Sequence, residues 1–327
     1  MPEETLSNPS PYISICIPAY KRVDYLRRLL VSINEQTFKD FEVIITDDSP
    51  DDSVIILLNE MQLLYPYEYS KNTPALGTPA NWNRGLAIAR GTWIKLMHDD
   101  DWFSSPNALQ RFADESRKSN AGFIFSAFNN VKEGQSPKPV FCSSFRLKII
   151  RDNPVTLVAK NAIGPPSVVM HKKDPSYEYD SRMKWLVDMD FYMRFLSSHT
   201  IQYIPETLVN IGISSSQVTQ TASLVPEVEI PEHMLLADKT GIYQLRNTII
   251  YDAWWRLFRN LGVRSEMDIR KAGYQKSIPK AIQKMIRFQS RIPARILKIG
   301  IISKFLMLAC YLVNRPPEAS LSRRKLR

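Results

Sequence analysis

Three consecutive aspartates, Asp99, Asp100 and Asp101, follow the apolar residues Trp93, Ile94, Leu96 and Met97 and precede Trp102-Phe103. Carboxylates side by side at the end of a buried strand repel one another unless a cation, a helix terminus or bulk water offsets them. A bound divalent metal does so most directly. If the ligand is a nucleoside diphosphate ester, such a cation neutralises the diphosphate and stabilises it as it leaves. The competing reading is that the triplet caps a helix beginning near Pro106 and faces water. A second acidic pair, Asp47-Asp48, ends the apolar stretch Phe41 to Ile45. With Ser49 it could accept hydrogen bonds from a nucleobase or ribose, Tyr20 stacking on the base, or it could form an Asx-type turn under a tyrosine lid.

Asp188 and Asp190 are two residues apart, so they do not share a helix face. One can enter a cleft while the other caps or pairs with Arg182, Lys184 or Arg194. A base that takes a hydroxyl proton must be a carboxylate or imidazole within about 3 Å of that oxygen. Asp188 is the first choice, and spacing alone does not separate it from Asp190. His98 adjoins the acidic triplet and could bond a ribose or phosphate, or be a structural imidazole.

The elements that position these groups alternate. Pro11 to Ile17 reads as a strand buried on both faces. Leu26, Leu29, Leu30 and Ile33 recur at helical spacing, so a helix runs from Asp24 to about Gln36. Phe41 to Ile45 is a strand, Asp51 to Leu64 a helix, Tyr67 to Tyr69 a short strand. Asn81 to Arg90 is a helix ended by Gly91, and Thr92 to Met97 the strand delivering the triplet. Strand and helix in turn imply a parallel sheet, and acids at two strand exits fall where open α/β sheets bind ligands. A helix over Pro106 to Ser116 and strands over Gly122 to Phe128, Ser167 to His171 and Ile201 to Ile204 follow, with a helix over Trp185 to Leu196. Residues 131 to 160 lack periodicity, and residues 230 to 263 read as helical.

Several classes are excluded. No G-x-G-x-x-G or G-x-x-x-x-G-K-[ST] occurs at the strand-helix turns. No H-E-x-x-H joins the four histidines, and there is no G-x-S-x-G elbow. Cys16, Cys142 and Cys310 are odd in number and far apart, which argues against a disulfide framework and for a reducing interior. Met1-Pro2-Glu3-Glu4 carries no basic n-region, so no secretory signal is expected.

Ile15 to Tyr20, with Leu26, Ile33, Gln36-Thr37, Phe41-Glu42 and Thr46-Asp47-Asp48-Ser49, resembles the opening of the family 2 inverting glycosyltransferases. Asn81 to Leu86, Ala89-Arg90-Gly91 and His98 to Asp101 resemble that family's second signature, and Lys184 to Asp188 through Arg194 its acceptor-side helix. The likeness covers residues 11 to about 210. It implies a GT-A fold: a Rossmann-like, mostly parallel sheet flanked by helices, here with a helical C-terminal extension. The catalytic domain is expected over 1–225 and the extension over 226–327. The activity implied is transfer of a sugar from a nucleoside-diphosphate sugar to a hydroxyl of a glycan or lipid-linked acceptor, with inversion, using Mn²⁺ or Mg²⁺. Carried over by position, Pro18, Tyr20 and Asp48, beside Asp47, line the nucleoside pocket, and Asn83 and Arg84 lie near the diphosphate. Asp100 is the principal metal ligand, with Asp99 at the ribose or metal, and Asp188 is the base. His98 stands where the family often has aspartate. Val187 replaces the common glutamate, which keeps Asp190 as an alternative base, and Ser49-Pro50 replaces the usual glycine. A non-catalytic sugar- or partner-binding module of the same fold is the alternative.

Charge is uneven. Of a net +10, residues 264–327 hold 16 Lys/Arg against 3 Asp/Glu. Lys280, Lys284, Arg287, Arg291 and Arg295 fall on one face of a helix opposite Ile282, Met285 and Ile286. This suits an anionic lipid surface, and so a peripheral place at the cytoplasmic face of a membrane. Packing on its own domain or self-association are the other uses. Ile296 to Val313 is short for a spanning helix and is interrupted by Lys298 and Lys304. No RRM, KH or zinc-finger pattern accompanies the basic tail, so nucleic acid is not expected as a partner.

Overall fold

The computed structural model describes residues 10–213 and 224–314. The N-terminal Met1 to Glu4, the expected boundary after residue 225 in its approach through 214–223, and the cations beyond 314 fall wholly or partly outside them. The described residues form two compact units: 10–144 with 163–181 and 199–213, and 145–162 with 182–198 and 224–314. The second unit therefore draws in two segments from the middle of the chain, besides the C-terminal region.

The first unit is built on a nine-stranded sheet. In chain order it contains β1 (Ile13–Ala19), α1 (Val23–Asn34), β2 (Phe41–Asp47), α2 (Ser53–Glu60), β3 (Tyr67–Lys71), α3 (Ala80–Ile88) and β4 (Trp93–Leu96). Then come β5 (Trp102–Phe103), α4 (Ala108–Lys118), β6 (Phe123–Lys132), β7 (Lys138–Val140), β8 (Val169–Lys172) and β9 (Ile201–Ile213). The strand order is β3-β2-β1-β4-β8-β6-β9-β5, with β7 on β6. The β3-β2-β1-β4 half is parallel, and beyond β4 the sheet is mixed.

Sequence explains this half directly. β1 is buried on both faces except at half-buried Pro18, and Leu26, Leu29, Leu30 and Ile33 place one stripe of α1 in the core. β9 extends nine residues past the expected end at Ile204. Pro205 has no N–H to give, and the β6/β9 ladder shifts register opposite Pro205-Glu206 before resuming. The long strand matters because its far end returns to the acidic triplet.

The second unit holds α5 (Ser144–Asp152), a 3₁₀ turn over Pro154–Ala159, α6 (Val187–Phe195), α7 (Pro226–Thr240), α8 (Thr248–Asn260), α9 (Glu266–Lys271), α10 (Lys280–Ser290), α11 (Ala294–Leu297) and α12 (Gly300–Val313). The helical stretch expected over 230–263 is broken at Gly241, whose φ of +89° is one that side-chain-bearing residues avoid. Asn247 then caps α8 by accepting from Ile249 N at 2.9 Å. Tyr251, Trp254, Trp255 and Phe258 of α8 form the centre of this core. Trp255 Nε1 donates to Ser303 Oγ of α12 at 3.0 Å, and Gln289 Nε2 of α10 donates to the Trp255 carbonyl at 2.9 Å. α10, the helix expected at a lipid surface, buries Ala281, Ile282, Met285 and Ile286 inside this unit. The exposed apolar face lies instead on α12. Among the described residues no helix is long and apolar enough to cross a membrane.

Candidate active site

β1 lies between β2 and β4, all parallel, so their carboxyl ends share one edge of the sheet. Asp48 N bonds the Ala19 carbonyl at 3.0 Å and Met97 N the Cys16 carbonyl at 2.9 Å, which brings the residues after the three strands together. This edge is where such sheets bind ligands.

Both acids after β2 hold loops in place. Asp47 accepts from Ser49 N at 2.8 Å, an Asx turn, and from the Tyr69 hydroxyl at 2.9 Å. Asp48 accepts from Asn72 Nδ2 at 2.8 Å, Leu76 N at 3.0 Å and Gly77 N at 2.7 Å, so it closes the loop over 72–77. One lone-pair site of its carboxylate remains to be used. Pro18 is half-buried opposite Thr46, and Tyr20 is 50% exposed beside this edge, with Lys21 Nζ 5.0 Å from its ring centroid.

The acidic triplet lies after β4 and is enclosed. Asp99, Asp100 and Asp101 are all buried, and they do different work. Asp99 accepts from Tyr20 N at 3.3 Å and from Arg22 Nη2 at 2.6 Å, while Arg22 Nη1 donates to Asp100 Oδ2 at 2.8 Å. Asp101 accepts from Gly212 N at 3.1 Å and bonds the Ser167 hydroxyl, whose oxygen also accepts His98 N at 2.9 Å. Burial pushes the Asp99 carboxyl up to about 7 against the opposing pull of Arg22. Burial, reinforced by Asp100, likewise raises Asp101, and burial lowers His98, which keeps its imidazole neutral. Lys95, fully buried on β4, donates to the Ser167 carbonyl and is lowered to about 7 by burial.

His98, Asp100 and Asp101 each offer a ligand atom, and these atoms lie within 4.8 Å of one another. Ligands on opposite sides of a Mg²⁺- or Ca²⁺-sized ion stand roughly 4–5 Å apart, so the set fits a hard divalent cation with small side-chain adjustment. His98 Nε2 is buried with no hydrogen-bond partner among the described residues, an orphan that a ligand would satisfy. Asp99 lies outside this group, held by Arg22. Arg28 braces the loop from below: it donates to the Asp100 carbonyl at 2.8 Å and stacks on Trp102 at 3.6 Å.

On α3, Asn83 exchanges two 2.8 Å hydrogen bonds with the backbone of Tyr179, and Trp82 packs on His98 with ring centroids 4.8 Å apart. Arg84 is exposed. Arg22, Arg28, Trp82, Ser167 and Gly212 were not singled out by sequence. Their partners are 16 to 111 residues away, and no local pattern announces them.

In the second unit, Asp188 and Asp190 occupy the first turn of α6. Asp190 is fully buried between two cations: Arg194 Nε at 2.9 Å and Lys239 Nζ at 2.7 Å. Asp188 is half-buried and uncharged neighbours contact it, with Asn161 Nδ2 donating at 2.9 Å and Met189 N at 2.7 Å. Burial raises its carboxyl to about 6. The start of α6 is fixed by Glu232 of α7, whose carboxylate accepts from Lys184 N, Trp185 N and Leu186 N at 2.7–2.9 Å. Asn161 and Glu232 also escaped the sequence reading.

A parallel β3-β2-β1-β4 half-sheet with acids at its carboxyl edge, continued by a mixed half, is the GT-A glycosyltransferase architecture. The fold matches Staphylococcus aureus TarS residues 1–349 solved with UDP-GlcNAc, at 15% identity and TM-score 0.62 over 95% of this chain and 94% of that one. It also matches a Pyrobaculum calidifontis mannosyltransferase solved with GDP-Man and Mn²⁺, at 12% identity and TM-score 0.54 over 93% and 87%. Residues 14–172 match the model of glycosyl transferase family 2. An uncharacterised Mycobacterium tuberculosis protein is 30% identical over 218 residues, 62% of this chain and 67% of that protein. The chain belongs to glycosyl transferase family 2, and it is a glycosyltransferase.

Proposed function

We propose that the protein is an inverting transferase, dependent on Mn²⁺ or Mg²⁺, that glycosylates a hydroxyl of a lipid-linked glycan in surface-polysaccharide synthesis at the cytoplasmic face of a membrane. The observation that carries this reading is the convergence of His98, Asp100 and Asp101, donor atoms within 4.8 Å, at the carboxyl edge of the sheet. These three residues would hold the cation, which when bound offsets the charge of the departing diphosphate. Tyr20 stacks on the base, the remaining lone pair of Asp48 with Asp99 bonds the nucleoside, and exposed Arg84 meets the diphosphate. Asp188 takes the proton from the acceptor hydroxyl as that oxygen attacks the anomeric carbon from the side opposite the diphosphate. No covalent nucleophile is required, and the anomeric centre inverts. Asp190, with both oxygens bonded to cations, anchors α6 and so positions Asp188.

The mannosyltransferase of similar fold holds GDP-Man and Mn²⁺, and TarS holds UDP-GlcNAc, which supports a nucleotide-sugar donor and a divalent cation here. The lipid-linked acceptor is supported by α12. Ile301, Phe305 and Leu312 are 75%, 69% and 74% exposed on one side of that helix, with exposed Lys298 and Lys304 near them.

The test is Asp188→Asn, with a panel of nucleotide sugars and Mn²⁺. Donor binding by calorimetry is expected to persist while transfer falls by about 10²–10⁴-fold, the usual worth of a general base. Transfer at the wild-type rate would place the base elsewhere.

A further inference from the structure

Arg22 connects the two carboxylates that matter most at the sheet edge, and nothing in the reaction described above uses it. Its guanidinium forks onto Asp99 Oδ1 at 2.6 Å and Asp100 Oδ2 at 2.8 Å, and Asp100 belongs to the candidate metal set. The arginine side chain is 35% exposed, whereas those of Asp99 and Asp100 are 3% and 11% exposed, so the cation covers the two acids from the solvent side.

The chain is bent to deliver it there. Lys21 has φ +64°, a left-handed conformation unusual for a side-chain-bearing residue. Arg22 N bonds the Tyr20 carbonyl at 2.8 Å and Val23 N the Lys21 carbonyl at 2.7 Å. Lys21 N donates to Ser49 Oγ at 2.8 Å, tying the turn to the loop after β2. The backbone at Arg22 is thus pinned, and its carbonyl accepts from Leu26 N of α1 at 3.0 Å. Only the side chain is left to move.

We infer that Arg22 is a resident counter-ion that occupies the acidic site before the donor arrives, gives up Asp100 to the divalent cation, and transfers its guanidinium to the diphosphate. The inference rests on the proposed metal site. A guanidinium and a divalent cation repel each other and compete for Asp100, so the cation alone binds weakly. A diphosphate supplies new oxygens that a planar fork bonds well, and it removes the competition. Cation and nucleotide then strengthen each other's binding by one common factor, as linkage requires.

The experiment measures free Mn²⁺ by electron paramagnetic resonance, with and without UDP or GDP, in wild type, Arg22→Gln and Arg22→Lys. Circular dichroism melts check that each variant is folded. In wild type the nucleotide is expected to tighten Mn²⁺ by about tenfold or more. In Arg22→Gln, Mn²⁺ without nucleotide binds more tightly than in wild type, the nucleotide binds more weakly, and the mutual factor shrinks toward one. Arg22→Lys, which keeps the charge and loses the fork, falls between them. If Mn²⁺ binds all three proteins alike and the nucleotide tightens it equally in each, Arg22 has no such role while the metal site stands. If wild type binds no Mn²⁺ even with both nucleotides, the metal site fails and the inference with it.

Discussion

At the scale of single residues, the chemistry turns on how burial divides the acids. Asp190 has a cation on each oxygen, whereas among the described residues Asp188 has neutral donors, Asn161 Nδ2 and Met189 N, which offset only part of the cost of removing its charge from water. Its carboxyl therefore rises to about 6. A base must be deprotonated to act, so transfer should fall about tenfold for each pH unit below 6 and level off above it. Asn161 Nδ2 stabilises the ionised form, and Asn161→Ala should move the acidic limb to higher pH without abolishing the plateau. Rates at saturating donor and cation between pH 5 and 8 decide this. A limb that stays in place in Asn161→Ala would show that the group controlling it is not Asp188.

At the scale of elements, β9 reaches back to the triplet, and at Gly212 it leaves no room for a side chain. A Cβ on Gly212 would stand 2.4 Å from the Asp100 carbonyl oxygen and 3.3 Å from Arg28 Nη2. The first contact is with backbone, so relief requires moving the loop that carries His98, Asp100 and Asp101. Gly212→Ala should cost about 1–3 kcal/mol in a denaturant melt, the usual price of overpacking, and should weaken Mn²⁺ binding in parallel. Unchanged Mn²⁺ binding would show that the loop tolerates the shift. Sequence patterns revealed the elements whose signal is local: the apolar strands β1, β2 and β4, the stripe of α1, and the acids at their ends. They did not reveal β9 beyond Pro205, because that half is recruited by β6 and β5 rather than by its own alternation. The same holds for Arg22, Gly212 and Glu232, whose importance lies in partners 46 to 111 residues distant. The Asx turn at Asp47 was legible as one of two readings, because aspartate two residues before a free N–H has that local option.

At the scale of the molecule, the charge and the exposed apolar surface coincide in the C-terminal region but on helices other than sequence periodicity selects. The cationic helix α10 spends its apolar face on the core around Trp255, which leaves Lys284 and Arg287 exposed. α12 does the reverse: Ser303, Met307 and Cys310 face inward, and Ile301, Ile302, Phe305, Leu308 and Leu312 are exposed. Fourteen residues make a helix of about 21 Å, long enough to lie along a membrane surface. Each large side chain inserted is worth roughly 1.5–3 kcal/mol, and each nearby cation about 1 kcal/mol at an anionic surface. Phe305→Asp exchanges an insertion for a repelled charge. It should reduce cosedimentation with phosphatidylserine-containing vesicles by about tenfold or more, leave the melting temperature unchanged because the ring is 69% exposed, and leave transfer to a soluble acceptor analogue intact. Wild-type binding should itself weaken in high salt and on purely zwitterionic vesicles, because screening and loss of anionic lipid remove the same attraction and leave only the apolar insertion. Equal sedimentation of wild type and Phe305→Asp would mean that α12 does not meet the lipid, and the acceptor would then have to reach the enzyme without a membrane to hold it.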